Sequence, residues 1–156
     1  MAGKVKEELH QRKPHASVEE EALLNIVRTA DALTRDFDDV LKPHGLTGTQ
    51  YNLLRILRGA GKRGATCSEI GERTIKKDPD ITRLVDRMVK RGLVKRSRDG
   101  RDRRVVTTSI TAEGLRKLNE LEEPVNKLPI QQFQGLSRQK ILELIETLET
   151  LRQRAP

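Results

Sequence analysis

The chain has 156 residues, of which about a third are apolar and only three are aromatic. That length suits one domain, or one domain with dimerisation arms, and the modest apolar share predicts that a partner subunit completes the core. No apolar run approaches the roughly 18 residues of a membrane span. The charged N-terminus is not a signal peptide, and the single Cys67 forms no intramolecular disulfide, so we expect a cytoplasmic protein that acts away from membranes.

The formal net charge of +8 is concentrated in one stretch of the sequence. Thirteen basic and five acidic residues lie between Arg73 and Arg104, whereas the rest of the chain carries eighteen of each. A solvated charged face would also give such a count, but its concentration favours a surface that binds nucleic acid phosphates. Lys76 and Lys77 are predicted phosphate contacts within it.

The N-terminal part of the chain predicts a flexible arm followed by a long helix. Residues 1–16 are polar and show no period, so we expect a disordered arm. Ser17 and Glu20 have capping-box spacing, and Pro43 and Gly45 end the helix. Its apolar residues recur at steps of three and four, which is a helical stripe: Leu23, Ile26, Ala30, Leu33, Phe37 and Val40.

Two further capping boxes predict the next two helices. Thr47 and Gln50 form the first, and Thr66 and Glu69 form the second, which opens a short helix ending near residue 74. Gly71 lies inside this short helix, where glycine lowers helix stability by about 1 kcal/mol. We therefore expect a close contact with another helix there, at which a side chain would not fit.

A fourth helix and a hairpin follow. Asp78 is predicted to be the N-cap of this helix and Pro79 its first residue. Gly92 is predicted to end it. The runs 93–97 and 105–110 predict two strands joined through a turn signalled by Asp99 and Gly100.

The C-terminal part of the chain predicts two more helices. Thr111 caps the first of them, which Pro124 and Pro129 should kink or divide. Ser137 opens the last helix, whose apolar face consists of Ile141, Leu144, Ile145, Leu148 and Leu151.

Residues 47–110 have the element order of a winged helix-turn-helix. The helix over 80–91 is the predicted reader of the major groove, with Asp80, Thr82 and Arg83 near its start. Arg83 is suited to guanine, and Thr82 to a phosphate or a thymine methyl. Asp80 either accepts from a cytosine amine or stabilises the helix N-terminus, and the second role is favoured.

The hairpin carries arginines on a thin β-ribbon, which fits a narrow minor groove of strongly negative potential. An acidic residue at the hairpin tip is compatible with DNA binding only where it orients an arginine through a bidentate pair. The predicted wing contacts are Arg98, Arg101, Asp102, Arg103 and Arg104.

Four segments together resemble the multiple-antibiotic-resistance regulator (MarR) family, namely residues 81–88, 91–94, 102–106 and 110–114. Residues 46–51 resemble the opening of that family's second helix. The resemblance covers about residues 18–154, and the order of the segments is more specific than any one of them. The sequence departs from the family pattern at Asp78-Pro79-Asp80, where family members more often have serine or threonine.

The resemblance implies a mainly α fold with a small β-hairpin wing. It implies a homodimer joined by N- and C-terminal dimerisation helices (17–46 and 111–154), each subunit carrying one DNA-binding lobe (47–110). Arg104 then enters the minor groove and Asp102 holds it. The implied function is a ligand-responsive repressor that binds a pseudo-palindromic operator in double-stranded DNA.

Family members often release DNA when a small phenolic or aromatic acid binds, and the matching region here includes His44, Tyr51 and Arg55. Each also has a structural interpretation: His44 as a loop residue, Tyr51 as part of a hydrophobic staple and Arg55 as a solvated charge. Cys67 does not match the peroxide-sensing position of some relatives. The three histidines lack zinc-ligand spacing, so we expect no metal and no cofactor.

Three rival functions are less favoured. An enzyme would be expected to carry at least one of the motifs HExxH, GxSxG, a glycine-rich phosphate loop or a Cys/His cluster, and the sequence has none of them. A single-strand or RNA binder usually stacks bases on aromatic side chains, and residues 73–104 contain none. A purely structural dimer would not need the arginine-rich wing.

Overall fold

The computed structural model describes residues 4–77, 80–98, 102 and 104–153. These residues form a mainly helical fold with one antiparallel hairpin, as the sequence predicts. The elements in chain order are α1 (Val5–Glu8), α2 (Val18–Leu41), α3 (Gly48–Ala60), α4 (Cys67–Arg73), α5 (Ile81–Lys90), β1 (Val94–Arg98), β2 (Val106–Ile110), α6 (Ala112–Gln132) and α7 (Arg138–Gln153).

The chain divides into two compact units, the first ending at Leu121 and the second beginning at Glu122. Helix α6 runs through this boundary. The first unit holds the elements from α1 to β2 and the part of α6 up to Leu121, and the second holds the rest of α6 and α7. Pro124 and Pro129 do not divide α6, which is one helix across both positions. Of the two predicted outcomes, a kinked or a divided helix, division is therefore wrong, because each proline removes only one backbone donor from a helix of 21 residues.

The core of the first unit is built from apolar residues at helical spacing in α3 and α5. Each helix buries one stripe and leaves the opposite side in water, as an amphipathic helix does. The buried residues of these two helices are Tyr51, Leu53, Leu54, Leu57, Ile81, Leu84, Val85 and Met88.

Capping boxes begin α3 and α4 as predicted. The hydroxyl of Thr47 accepts from the N–H of Gln50, whose side-chain oxygen accepts from the N–H of Thr47. Thr66 and Glu69 form the same pair, and the backbone N–H of Thr66 lowers the pKa of the Glu69 carboxyl. At the start of α2 only half of the box forms.

The first residues of the chain are not wholly irregular. Val5–Glu8 form a helical turn, Val5 is almost fully buried, and Glu8 lies 3.5 Å from the guanidinium of Arg28 on α2. The predicted disordered arm over 1–16 is therefore wrong at these residues. A single buried valine within a charged segment gives no period from which a helix would be inferred.

Gly114, near the start of α6, lies close to the backbone of the segment that joins α5 to β1. A Cβ at this position would overlap the carbonyl oxygen of Leu93 and lie 2.7 Å from Cγ1 of Ile110. At Gly71 a Cβ would lie 3.6 Å from Cγ1 of Ile81, which is ordinary contact. The prediction that a side chain would not fit at Gly71 is therefore wrong.

We expect Gly114→Ala to lower the free energy of unfolding by about 1–3 kcal/mol, because the new methyl group must displace backbone atoms. Gly59→Ala is the matched control, since its Cβ would meet nothing within 4 Å and the residue lies within α3. That change should stabilise the protein by about 0.5–1 kcal/mol. Urea unfolding followed by circular dichroism measures both, and equal effects of the two substitutions would contradict the close approach at Gly114.

Candidate nucleic-acid interface

Helix α5, the predicted reading helix, has one buried and one exposed face. Ile81, Leu84, Val85 and Met88 point into the core. Thr82 and Arg83, in the first turn, are exposed, and 82% of the Arg83 side-chain surface is accessible. The first turn of α5 therefore presents a hydroxyl and a guanidinium group to water.

Asp80 is the N-cap of α5. Its carboxylate accepts from the backbone N–H of Arg83 at 3.0 Å, and the Nε atom of Arg83 lies 3.0 Å from its other oxygen. The first contact is the helix-stabilising role predicted for Asp80. The predicted N-cap at Asp78 is wrong, because α5 begins two residues later than expected; Asp78 and Pro79 themselves lie outside the described residues.

Arg96, on β1, joins the hairpin to the reading helix. Its guanidinium lies 2.5 Å from the carboxylate of Asp86 and donates to the carbonyl of Thr82 at 3.5 Å. The same arginine therefore contacts the first turn and the middle of α5. Sequence reasoning counted Arg96 only as part of the basic stretch and did not predict this positioning contact.

The hairpin over residues 94–110, hereafter the wing, is antiparallel and pairs Val94 with Ile110 at its base and Arg98 with Val106 towards its tip. Its inner strand β2 also contacts the loop after α3, where Ala65 exchanges two backbone hydrogen bonds with Thr108. Gly64 precedes this contact with a φ of 68°, and a Cβ there would overlap the Thr108 carbonyl. This third strand-like segment was not predicted.

Near the wing tip, Asp102 holds Arg104 through the backbone. The carboxylate of Asp102 accepts a hydrogen bond from the N–H of Arg104 at 2.9 Å. The backbone carbonyl of Asp102 accepts one from the N–H of Val105 at 3.0 Å. The predicted contact was instead a pair between the carboxylate and a guanidinium group. The backbone bond forms a turn of the kind that aspartate side chains favour. Arg101, Arg103 and the turn residues Asp99 and Gly100 lie outside the described residues.

Every described basic residue between 73 and 104 is exposed. Lys76 and Lys77 lie in the segment between α4 and α5, and Arg98 ends β1. The exposed set comprises Arg73, Lys76, Lys77, Arg83, Arg87, Lys90, Arg91, Lys95, Arg96, Arg98 and Arg104. None of these cations is withdrawn into the core, so the described part of the stretch is available for contact with an anionic partner.

The predicted effector residues lie around the start of α3, and two of them, His44 and Tyr51, have protein contacts. Nδ1 of His44 lies 3.6 Å from the carboxylate of Glu120, and the ring of Tyr51 packs edge-on against Phe37 with centroids 5.4 Å apart. Tyr51 is buried, which agrees with its structural interpretation, whereas Arg55 is exposed one helical turn further on.

Two other kinds of site are absent from the described residues. These residues hold no group of three or more His, Cys, Asp or Glu side chains placed to bind a metal ion. Within the same ranges, no helix combines the length and apolar character that crossing a bilayer requires. Cys67 is the first residue of α4 and is partly buried.

The order of α3, α4, α5 and the wing, with exposed cations on α5 and the hairpin, defines a winged helix-turn-helix protein. Comparisons with known proteins agree. A sequence model described as MarR family matches residues 44–105. The HTH-type transcriptional repressor IacR of Pseudomonas putida is 29% identical over 126 residues, which are 81% of this chain and 74% of that protein.

Solved structures extend the comparison to almost the whole chain. A MarR transcription factor from Planctomyces limnophilus is 38% identical, with a TM-score of 0.66 over 87% of this chain and 98% of that one. The structure of CouR from Rhodococcus jostii RHA1 bound to p-coumaroyl-CoA has a TM-score of 0.74 at 21% identity, covering 91% and 99%. The chain belongs to the MarR family of transcriptional regulators.

Proposed function

We propose that the protein is a homodimeric repressor that binds a pseudo-palindromic operator in duplex DNA and releases it on binding a small ligand. The observation that carries the DNA-binding part is the joint exposure of cations on the first turn of α5 and on the wing, two elements tied together through Arg96. In this arrangement α5 enters the major groove, and the wing, with Arg104, reaches the adjacent minor groove.

In the reading helix, Arg83 contacts base edges and Thr82 contacts a phosphate or a thymine methyl. Lys76 and Lys77, with Arg98 and the other arginines of the wing, neutralise phosphates. In this proposal Asp80 contacts no DNA base. Its carboxylate already accepts from the helix N-terminus and pairs with Arg83, so it orients that arginine.

A second copy of the chain covers the apolar faces that each unit leaves in water. On α2 the exposed residues include Leu23, at 59%, and Val27, at 58%. In the second unit no residue of α7 is buried, and its exposed apolar residues include Leu142, Ile145 and Leu151. We therefore assign residues 17–46 and 111–154 to dimerisation and residues 47–110 to DNA binding.

The ligand we propose is a small phenolic or aromatic acid that binds around His44, Tyr51 and Arg55. The partly exposed ring of Phe37, which packs against Tyr51, offers aromatic surface, and the exposed Arg55 offers a cation for a carboxylate. The p-coumaroyl-CoA bound in the CouR structure supports this choice of ligand. The word repressor in the name of the Pseudomonas relative supports repression.

Selection of bound duplexes from a random pool tests the proposal. We expect enrichment of an inverted repeat whose half-sites are centred about 34–36 Å apart, one helical turn, because a two-fold dimer repeats its contacts at that spacing. Addition of aromatic acids to the recovered complex should then release the DNA. Recovery of no duplex sequence above background would rule out sequence-specific binding, whatever the oligomeric state.

Arg104→Ala should weaken binding to the recovered duplex by about 1–3 kcal/mol for each half-site, because the arginine side chain enters the minor groove. Arg35→Ala, which removes the same charge from α2 outside the lobe, is the matched control and should change affinity little. Fluorescence anisotropy with a labelled duplex measures both. Equal weakening in the two variants would show that Arg104 acts only through net charge.

A further inference from the structure

Ile75 is a large apolar side chain that is exposed to water in the segment preceding the reading helix. It lies in the segment between α4 and α5, and 84% of its surface is accessible. In the described part of residues 47–110, the other exposed large apolar side chain is Val106, at 42%. A single exposed apolar residue is ordinary on a protein surface, so its setting decides what it does.

The backbone around Ile75 is anchored. The side-chain oxygen of Asn52, on α3, accepts from the N–H of Ile75 at 3.0 Å. The preceding Thr74 is buried, and its hydroxyl donates to the carbonyl of Gly71 at 2.9 Å. The isoleucine is therefore presented from a fixed point of the lobe.

The surroundings of Ile75 are cationic and close to the reading helix. Lys76 and Lys77 follow it directly and are exposed. The N-cap Asp80 is five residues further on, so at most about 17 Å of chain separates it from Ile75. That distance corresponds to about five base steps along a duplex. Ile75 and the first turn of α5 are thus within reach of one stretch of groove.

We propose that Ile75 reads thymine in the operator by packing against its 5-methyl group in the major groove. This inference rests on the DNA-binding function proposed above and adds a specificity-determining residue to it. The thymine methyl is the apolar group that base pairs present in the major groove, and an aliphatic side chain without hydrogen-bonding atoms can recognise only such a group. The flanking lysines favour DNA over an apolar protein partner, because they match the phosphates beside the base.

Deletion of single methyl groups from the DNA tests the proposal. Each thymine of the selected duplex is replaced in turn by deoxyuridine, which lacks the methyl but keeps the hydrogen-bonding groups. For the wild-type protein we expect one thymine in each half-site at which the replacement weakens binding about fourfold, the value of one buried methyl group. For Ile75→Ala the same replacement should have no effect, and the unmodified duplex should bind correspondingly more weakly.

Val106→Ala is the control variant, since it also shortens an exposed apolar residue of the lobe, and it should keep the wild-type response to deoxyuridine. The melting temperature of Ile75→Ala should equal that of the wild type, because its side chain is exposed. The proposal would be overturned if deoxyuridine at every position left the binding of the wild type unchanged. It would also be overturned if Ile75→Ala lost as much affinity on the replacement as the wild type does. Failure of the wild type to bind any duplex would instead overturn the DNA-binding function itself.

Discussion

Raising the salt concentration from 50 to 200 mM should weaken DNA binding by about ten-thousand-fold. If each subunit neutralises about four phosphates, the dimer releases their counterions, and the logarithm of affinity falls with the logarithm of salt with a slope near −7. We expect the exposed cations of α5, of the wing and of the segment at Lys76 and Lys77 to supply these contacts. Anisotropy titrations at several salt concentrations measure the slope.

The variant Lys76→Ala with Lys77→Ala provides the control for this slope. It removes two phosphate-binding cations from each subunit, so the slope should become shallower by about 3.6 units in the dimer. A wild-type slope near zero would exclude phosphate contacts as a source of affinity. An unchanged slope in the double variant would place the contacts elsewhere in the basic stretch.

Leu23→Asp should convert the dimer to monomers at micromolar concentration. Leu23 is 59% exposed in the single chain, and the proposed second copy covers it. An unpaired carboxylate buried there costs several kcal/mol, and a two-fold interface repeats the substitution. We expect the dimer dissociation constant to rise at least about a thousandfold, equivalent to roughly 4 kcal/mol. Sedimentation velocity measures the change.

Asn25→Asp is the matched control for the dimer prediction. It introduces the same charge two residues later, about 200° around the helix from Leu23. Asn25 is exposed and its amide donates to the carbonyl of Glu21, so the substitution disturbs no core contact. A dimer that survives Leu23→Asp, or that both variants disrupt equally, would contradict the assignment of this face of α2.

Local signals predicted most of the fold. The capping boxes at Thr47 and Thr66 lie where the sequence places them, because a cap depends on residues only three positions apart. The start of α5 was predicted less well. Proline preference placed the N-cap at Asp78, whereas in the structure α5 begins after Asp80.

Features that depend on distant residues were not predictable in this way. Gly71 and Gly114 are both helical glycines, and only the tertiary arrangement decides that Gly114 meets the backbone of Leu93 whereas Gly71 has room for a methyl group. The pairing of Ala65 with Thr108 and the contact of Arg96 with Asp86 likewise join residues far apart in sequence. For the candidate site, sequence identified the cations, but not that Asp102 bonds to the backbone of Arg104.

The C-terminal end of α5 is also attached. Arg91, its C-cap, donates to the side-chain oxygen of Gln50 at 3.1 Å, and the same oxygen accepts the N–H of Thr47 that begins α3. Arg96 contacts the N-terminal half of α5, so both halves of the helix are attached to other elements of the same lobe. The helix therefore has little orientational freedom left to lose when it docks, and the entropic penalty of association falls on the side chains at its surface.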